Sequence, residues 1–283
     1  MEKKIKIALC YDFDGTLSPR CMQEYSFIPA LGILPKEFWD ESHSIAKKEN
    51  FDPILSYMYL MLDKAKEKNI PITKQSLKDF GKDVKFFAGV ETWFERINRY
   101  GNEAGVEVEH YIISSGIEEM IEGTLIAENF RHVFACKFRY DENGLATSPG
   151  ASVNYTYKTQ HLVRISKGIF NYHENEKVNK HIDPAERYIP YSNMVYIGDG
   201  ETDVPCMKLL KSNEGFAIAV YDADDFNKTQ NSFLLHKEKR ANFVAPANFS
   251  ENSRMDKIVK KIIDFVKVRT SLDLKRTCNL YKH

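Results

Sequence analysis

Two aspartates, Asp12 and Asp14, flank Phe13 in the stretch CYDFDGTLSP (10–19). On an extended strand, residues two apart point to the same face, so both carboxylates crowd one surface, where like charges disfavour each other's ionisation. Two further aspartates, Asp199 and Asp203, lie in GDGETD (198–203). If folding joins all four, they supply oxygen ligands for a hard divalent cation, magnesium (Mg2+) above all. Such a cation relieves the repulsion and attracts a phosphate. One carboxylate can then attack phosphorus while another gives a proton to the leaving group and later activates water. The phosphoryl oxygens also need donors. Candidates are Thr16, Ser114, a lysine, and the backbone N–H groups after Ser115-Gly116 at an expected helix start.

The elements that must hold these groups can be read from the hydrophobic pattern. Ile5 to Tyr11 forms a short apolar run stopped by DGT, which reads as a buried strand with a tight exit at Gly15. VEVEHYII (106–113) ending in SSG, SNMVYI (192–197) ending in GDGETD, and EGFAIAV (214–220) ending in YDADD share that form. Helical spacing lies between them, as at Val90, Phe94 and Ile97 or Val204, Met207 and Leu210. This alternation predicts an α/β fold: a Rossmann-like, mainly parallel sheet with helices on both faces. In such sheets, ligands bind beyond the C-terminal strand ends, where these polar clusters gather.

The segment from Ser18 to Phe87 is too long for a crossover and reads as helices, with Pro35 and Pro53 at first-turn positions. It predicts an inserted helical cap over 18–87, with 1–17 and 88–283 forming the core and hinges near 17–22 and 84–90. HVFACKFRYDENGLATSP (132–149) carries Asn143-Gly144 between strand-like runs, a two-residue hairpin signal. Near the C-terminus, Ile258, Ile262, Phe265 and Val266 mark an amphipathic helix. The final SLDLKRTCNLYKH reads as a loosely held tail.

Composition narrows the partners. The chain has 283 residues, 43% hydrophobic and 28% charged, and its 40 acidic residues balance 40 basic ones. That is the make-up of an ordinary globular protein with no global field for nucleic acid. Five scattered cysteines without a CxxC pair argue against a disulfide framework or zinc knuckle. No apolar run is long enough for a membrane span or a signal sequence, so a cytoplasmic location is expected. Oligomeric state is not legible.

Taken in order, DFDGT (12–16), the strand ending in Ser114 at IISSG, Lys158 in YKTQ, and GDGETD (198–203) resemble the four motifs of the haloacid dehalogenase-like (HAD) hydrolases. The likeness runs from about residue 5 to 220. It implies that Asp12 is the nucleophile and Asp14 the general acid/base. Asp12, the Asp14 backbone carbonyl and Asp199 would bind magnesium, with Asp203 in support, while Ser114 and Lys158 hold the phosphoryl group of a small phosphorylated substrate. The family's dehalogenases lack an acid where Asp14 stands, which favours phosphoryl chemistry. The layout is similar to phosphoserine phosphatase and its relatives. Their cap arginine for the substrate carboxylate has no counterpart here, since no arginine lies between Arg20 and Arg96. Glu24 stands where it could take the place of the family's glutamate after the first motif.

Plainer readings compete at several positions. SGIE (115–118) fits a capping box, with Ser115 as cap and Glu118 at N3, leaving Ser114 for phosphate. Lys167 in RISKG is an alternative to Lys158. Glu201 and Thr202 read equally well as the start of a helix. Phe38, Trp39, Phe51, Tyr57 and Tyr59 suit either a substrate pocket or the core of a small bundle, and His43, Lys47 and Lys48 either contacts to an anionic substrate or a solvated face. A phosphotransferase or phosphomutase on the same core is the alternative activity, and a phospholigand-binding protein without turnover the alternative class.

Overall fold

The computed structural model describes residues 4–280. In chain order the elements are β1 (Ile5–Tyr11), α1 (Phe27–Ala30), α2 (Pro35–Glu49), α3 (Pro53–Glu67), α4 (Lys74–Gly81), α5 (Val90–Ala104), β2 (Val106–Ile117), α6 (Glu118–Glu122), β3 (His132–Tyr140) and β4 (Ala146–Ala151). There follow α7 (Lys158–Lys167), α8 (Asn175–Asn179), β5 (Met194–Gly198), α9 (Val204–Lys211), β6 (Phe216–Tyr221), α10 (Phe226–Lys237), β7 (Phe243–Pro246) and α11 (Arg254–Leu280).

The strands form one sheet in the order β4-β3-β2-β1-β5-β6-β7. Every pairing is parallel except β3 with β4. A parallel sheet must be covered on both faces, and alternation along the strands shows that it is. Tyr11 of β1 points toward α5, where its hydroxyl accepts from Trp93 Nε1 at 2.8 Å. Tyr196 of β5 is paired with Cys10, one residue out of phase with Tyr11, and points the opposite way, to Asp203 before α9. The core of β1 from Ile7 to Tyr11 is fully buried, and Ile7 and Leu9 each contribute roughly 1.5–3 kcal/mol by leaving water.

β1 sits between β2 and β5, so the chain leaves it in one direction and later returns on its other side. That reversal opens a crevice at the C-terminal strand ends. Four helices, α1 to α4, fill the stretch between β1 and α5 and lie over this edge. α2 and α3 start as the prolines predict, and Asp52 caps α3 by accepting from the N–H groups of Ile54 and Leu55. Where the chain enters and leaves this region it is stitched together, Phe87 N–H donating to the Leu17 carbonyl at 2.9 Å. On its far side, Ile72 accepts from Ala146 N–H at 2.8 Å, joining the helices to β4.

Several expectations need correction. β2 does not stop at Ile113 but continues through Ser114-Ser115-Gly116 to Ile117, which pairs with Cys136 after a register shift. The β3–β4 hairpin forms, but its turn spans 141–145 instead of two residues: Asp141 N–H donates to the Leu145 carbonyl, and the Asp141 carboxylate accepts from the N–H groups of Asn143 and Leu145. The asparagine-glycine pair lies within that wider loop. Residues 271–280, read as a tail, extend α11; the last three lie outside the described residues.

Candidate active site

β1 delivers Asp12 to the crevice and fixes it against β5, its N–H donating to the Ile197 carbonyl at 2.9 Å. The next residues fold into a compact turn, with the N–H groups of Thr16, Leu17 and Ser18 all directed at the Phe13 carbonyl. Gly15 makes the turn possible. Its φ is +77°, and a Cβ there would meet the Asp199 carboxylate at 2.1 Å. The glycine of DFDGT therefore does two jobs: it takes a backbone conformation costly for other residues and leaves room for an aspartate from the distant GDGETD motif.

Asp12, Asp199 and Asp203 converge, each offering a carboxylate oxygen within 4.8 Å of the others. Lys158 opens α7 and inserts its ammonium beneath them, 3.0 Å from Asp12 Oδ2 and 2.7 Å from Asp203 Oδ1. The lysine is fully buried. Burial by itself works against its charge, but Asp12 and Asp203 outweigh that and raise its pKa. Asp203 is buried too, and it also accepts from Tyr196 Oη at 2.7 Å and Gly200 N–H at 3.2 Å. Burial and the neighbouring Asp203 push the Asp12 carboxyl upward against the pull of Lys158. One lysine does not neutralise three carboxylates. Hard oxygen donors, closely spaced and short of positive charge, fit a divalent cation such as magnesium.

Asp14 stands apart from this trio, half-buried, with its Oδ1 accepting from Met22 N–H at 2.9 Å. Burial raises its pKa well above the usual carboxylate range, and the charge of Asp12 adds to the shift. A carboxyl that holds its proton more tightly than a free one is suited to giving a proton.

Ser114 is buried within β2, three residues before its end, its Oγ accepting from Gly116 N–H at 3.0 Å. Ser115 does not cap a helix. α6 begins after Ile117 without a side-chain cap, and Glu118 instead pairs with Lys137 at 3.1 Å. The reason is the longer strand: Ile117 gains a β-partner, so the chain stays extended where a helix start was expected. The N–H groups beyond Ser115-Gly116 are thus those of a strand end. The Ser115 hydroxyl is buried with no hydrogen-bond partner, and its carbonyl accepts from Tyr57 Oη of α3 at 2.6 Å.

A cavity of about 500 Å³ opens over these residues, with Asp12, Asp14, Ser114, Ser115 and Thr202 on its floor and Glu24, Trp39, His43 and Tyr57 opposite. Thr16 does not line it; its side chain is buried and its hydroxyl unpartnered. Lys167 does not line it either, its ammonium donating to the carbonyls of Val178 and Lys180. Of the aromatics named from sequence, Trp39 and Tyr57 line the cavity, Phe38 is core, and Phe51 and Tyr59 pack on each other elsewhere. Thr202, 3.4 Å from the Lys158 ammonium, belongs to a short turn (201–203) before α9 and not to the helix itself. Sequence reasoning missed Tyr196, Gln23 and Tyr155. Tyr196 sits in a uniformly apolar strand and gives no signal; Tyr155 lies three residues before Lys158 and could have been found by proximity.

A family model described as haloacid dehalogenase-like hydrolase (HAD) matches residues 9–208. An uncharacterised protein of Borreliella burgdorferi is 28% identical over 281 residues, covering 90% of this chain and 95% of its own. A phosphoserine phosphatase solved as a phospho-aspartyl intermediate analogue aligns with 91% of this chain and 99% of its own, at 15% identity and a TM-score of 0.51. A probable phosphoserine phosphatase from Vibrio cholerae aligns with 95% of this chain and 67% of its own, at 12% identity and a TM-score of 0.53. For a HAD family hydrolase of Salmonella enterica serovar Typhi the shares are 75% and 61%, with 18% identity and a TM-score of 0.51. At these identities the structural likeness is one of fold.

Proposed function

The chain belongs to the haloacid dehalogenase-like hydrolases, and from that premise we propose that it is a magnesium-dependent phosphatase acting on a small phosphorylated metabolite. The observation that carries this reading is the buried Lys158 ammonium shared by Asp12 and Asp203, with Asp199 converging and a separately held Asp14 at the cavity wall. In this reading an Asp12 carboxylate oxygen attacks phosphorus and the ester P–O bond breaks. Protonated Asp14 gives its proton to the departing alkoxide. The Asp14 carboxylate then takes a proton from water as that water attacks phosphorus, the bond to Asp12 breaks, and inorganic phosphate leaves with Asp14 protonated again.

Magnesium, held by Asp12, the Asp14 carbonyl and Asp199, would supply positive charge to the phosphoryl oxygens. Lys158 orients Asp12 and shares that task, Ser114 would donate to a remaining oxygen, and Asp203 keeps the lysine in place. Thr16 supports the turn. The helices of 18–87, acting as a cap hinged near 17–22 and 84–90, would exclude water during the first step and open for release.

The test is phosphate release from a panel of phosphorylated metabolites and an aryl phosphate, with magnesium and with chelator, for wild type and Asp12→Asn. Release that needs both magnesium and Asp12 supports the reading. Absence of release from every compound, or equal activity of the Asn variant, refutes it. Phosphate found on an added alcohol instead of water would mark a phosphotransferase.

A further inference from the structure

The far wall of the cavity differs in character from its floor. Glu24 presents a carboxylate whose Oε1 accepts from Trp39 Nε1 at 2.8 Å, while its second oxygen has no hydrogen-bond partner among the described residues. Trp39 and Tyr57 stand at 71° to each other with ring centroids 5.7 Å apart, forming a corner. Both orientations are fixed from behind: the indole N–H is held by Glu24, and the Tyr57 hydroxyl donates to the Ser115 carbonyl at 2.6 Å. Tyr155, half exposed, adds a third ring from the turn preceding Lys158, with its backbone at a φ of +21°. Non-glycine residues held at positive φ mark places where the fold over-determines a side chain's position.

No lysine or arginine among the described residues lines this cavity. Lys158 lies under the floor, engaged by Asp12 and Asp203. Arg20 is exposed, with its guanidinium over the Tyr25 ring at 4.5 Å. The lining group able to carry positive charge is His43, which is exposed to water on α2. A leaving group with a second anionic centre would therefore meet Glu24 with no buried counter-charge. An ammonium would meet a carboxylate and the aromatic side chains of Trp39, Tyr57 and Tyr155, groups that attract cations.

We propose that the leaving alcohol is cationic: the preferred substrate is a short amino-alcohol phosphate monoester without a carboxylate, its ammonium held by Glu24 and the faces of Trp39 and Tyr57. This rests on the phosphatase reading given above. The chemistry adds no step. The ester P–O bond breaks as before, and the amino alcohol departs with the proton from Asp14.

The decisive measurement compares kcat/KM for 2-aminoethyl phosphate, its N-trimethyl analogue, neutral propyl phosphate, phosphoserine and an aryl phosphate. The cationic esters should exceed propyl phosphate and phosphoserine at least tenfold. Glu24→Gln, which keeps an acceptor for Trp39, should lower the ratio of aminoethyl to propyl phosphate at least tenfold, and Trp39→Leu should lower it for the trimethyl analogue. Calorimetric binding to Asp12→Asn gives a readout without turnover and should show the same order. If aryl and propyl phosphates are cleaved but the cationic esters are not preferred, the inference fails while the phosphatase reading stands. If nothing is cleaved, the phosphatase reading fails, and binding then decides the pocket: no preference for the cationic ester overturns the inference as well.

Discussion

Lys158 and Asp203 meet at 2.7 Å with neither side chain exposed to solvent. Breaking a buried pair by removing one partner leaves an uncompensated charge, which costs about 3–5 kcal/mol. Lys158→Met should therefore lower unfolding free energy by about that amount in urea titrations, besides reducing turnover by about 10²-fold or more through loss of a charge beside Asp12. Lys158→Arg should rescue neither fully, because a planar guanidinium does not fit a point-charge position. A Met variant as stable as wild type would show that the pair adds nothing to stability.

Tyr196 bonds the same carboxylate oxygen of Asp203 from β5, also at 2.7 Å. Tyr196→Phe keeps the packing and deletes one hydrogen bond to a charged group, for which a loss of about 1.5–3 kcal/mol is expected. The accompanying drop in kcat should be smaller than for Lys158→Met, since Lys158 still holds Asp203. Equal stability of the Phe variant in denaturant titrations would argue that Asp203 relies on Lys158 and Gly200 alone.

Gly15 gives a test that leaves every carboxylate in place. In Gly15→Ala the new methyl group would lie 2.1 Å from Asp199 Oδ2, so either the turn or the aspartate must move. A misplacement of about 1 Å can cost about 10²-fold in rate, and left-handed backbone adds about 1–2 kcal/mol of strain. The expected signature is a raised magnesium requirement together with lower kcat. If activity at saturating and at limiting magnesium falls by the same factor, Asp199 is not the residue displaced.

Much of this site was legible because its chemistry is local to short motifs. DFDGT and GDGETD each end an apolar run, and a buried strand followed by a polar turn has few alternatives in an α/β sheet. Lys158 was harder, since nothing in YKTQ distinguishes it from Lys167 except position; the fold buries one against Asp203 and leaves the other to bond backbone carbonyls. Ser115 was misread because SGIE satisfies a local capping rule, whereas the β-pairing of Ile117 with Cys136 is a tertiary contact that sequence spacing does not encode. The same holds for Tyr196 and for Trp39 with Glu24, whose roles depend on neighbours far along the chain or on another element.

The final prediction concerns pH. Behind β1, Trp93 Nε1 donates to Tyr11 Oη at 2.8 Å, and the Tyr11 hydroxyl and His110 Nδ1 are 2.9 Å apart. His110 Nε2 lies 3.0 Å from Asn98 Oδ1. An amide oxygen only accepts, so Nε2 carries the hydrogen; Tyr11 Oη already accepts from Trp93, and a neutral imidazole lets Nδ1 take the hydrogen that Tyr11 has to give. Burial holds its pKa down at about 3, against about 6.5 in an unfolded chain. Between those values the unfolded state binds a proton that the native state does not, so stability rises with pH by about 1.4 kcal/mol per unit for this group. The contribution is complete above about pH 6.5 and is lost progressively as pH falls toward 3. Burial also lowers His132 to about 4 and His161 to about 3, with the same sign. Urea unfolding measured from pH 8 to 4.5 should therefore show steep acid destabilisation in wild type. His110→Gln should be less stable at pH 8 yet have a slope shallower by about one proton, so the two curves approach each other at low pH. Parallel curves would mean that His110 is protonated in the folded protein and that the Trp93–Tyr11–His110–Asn98 chain is wrongly assigned.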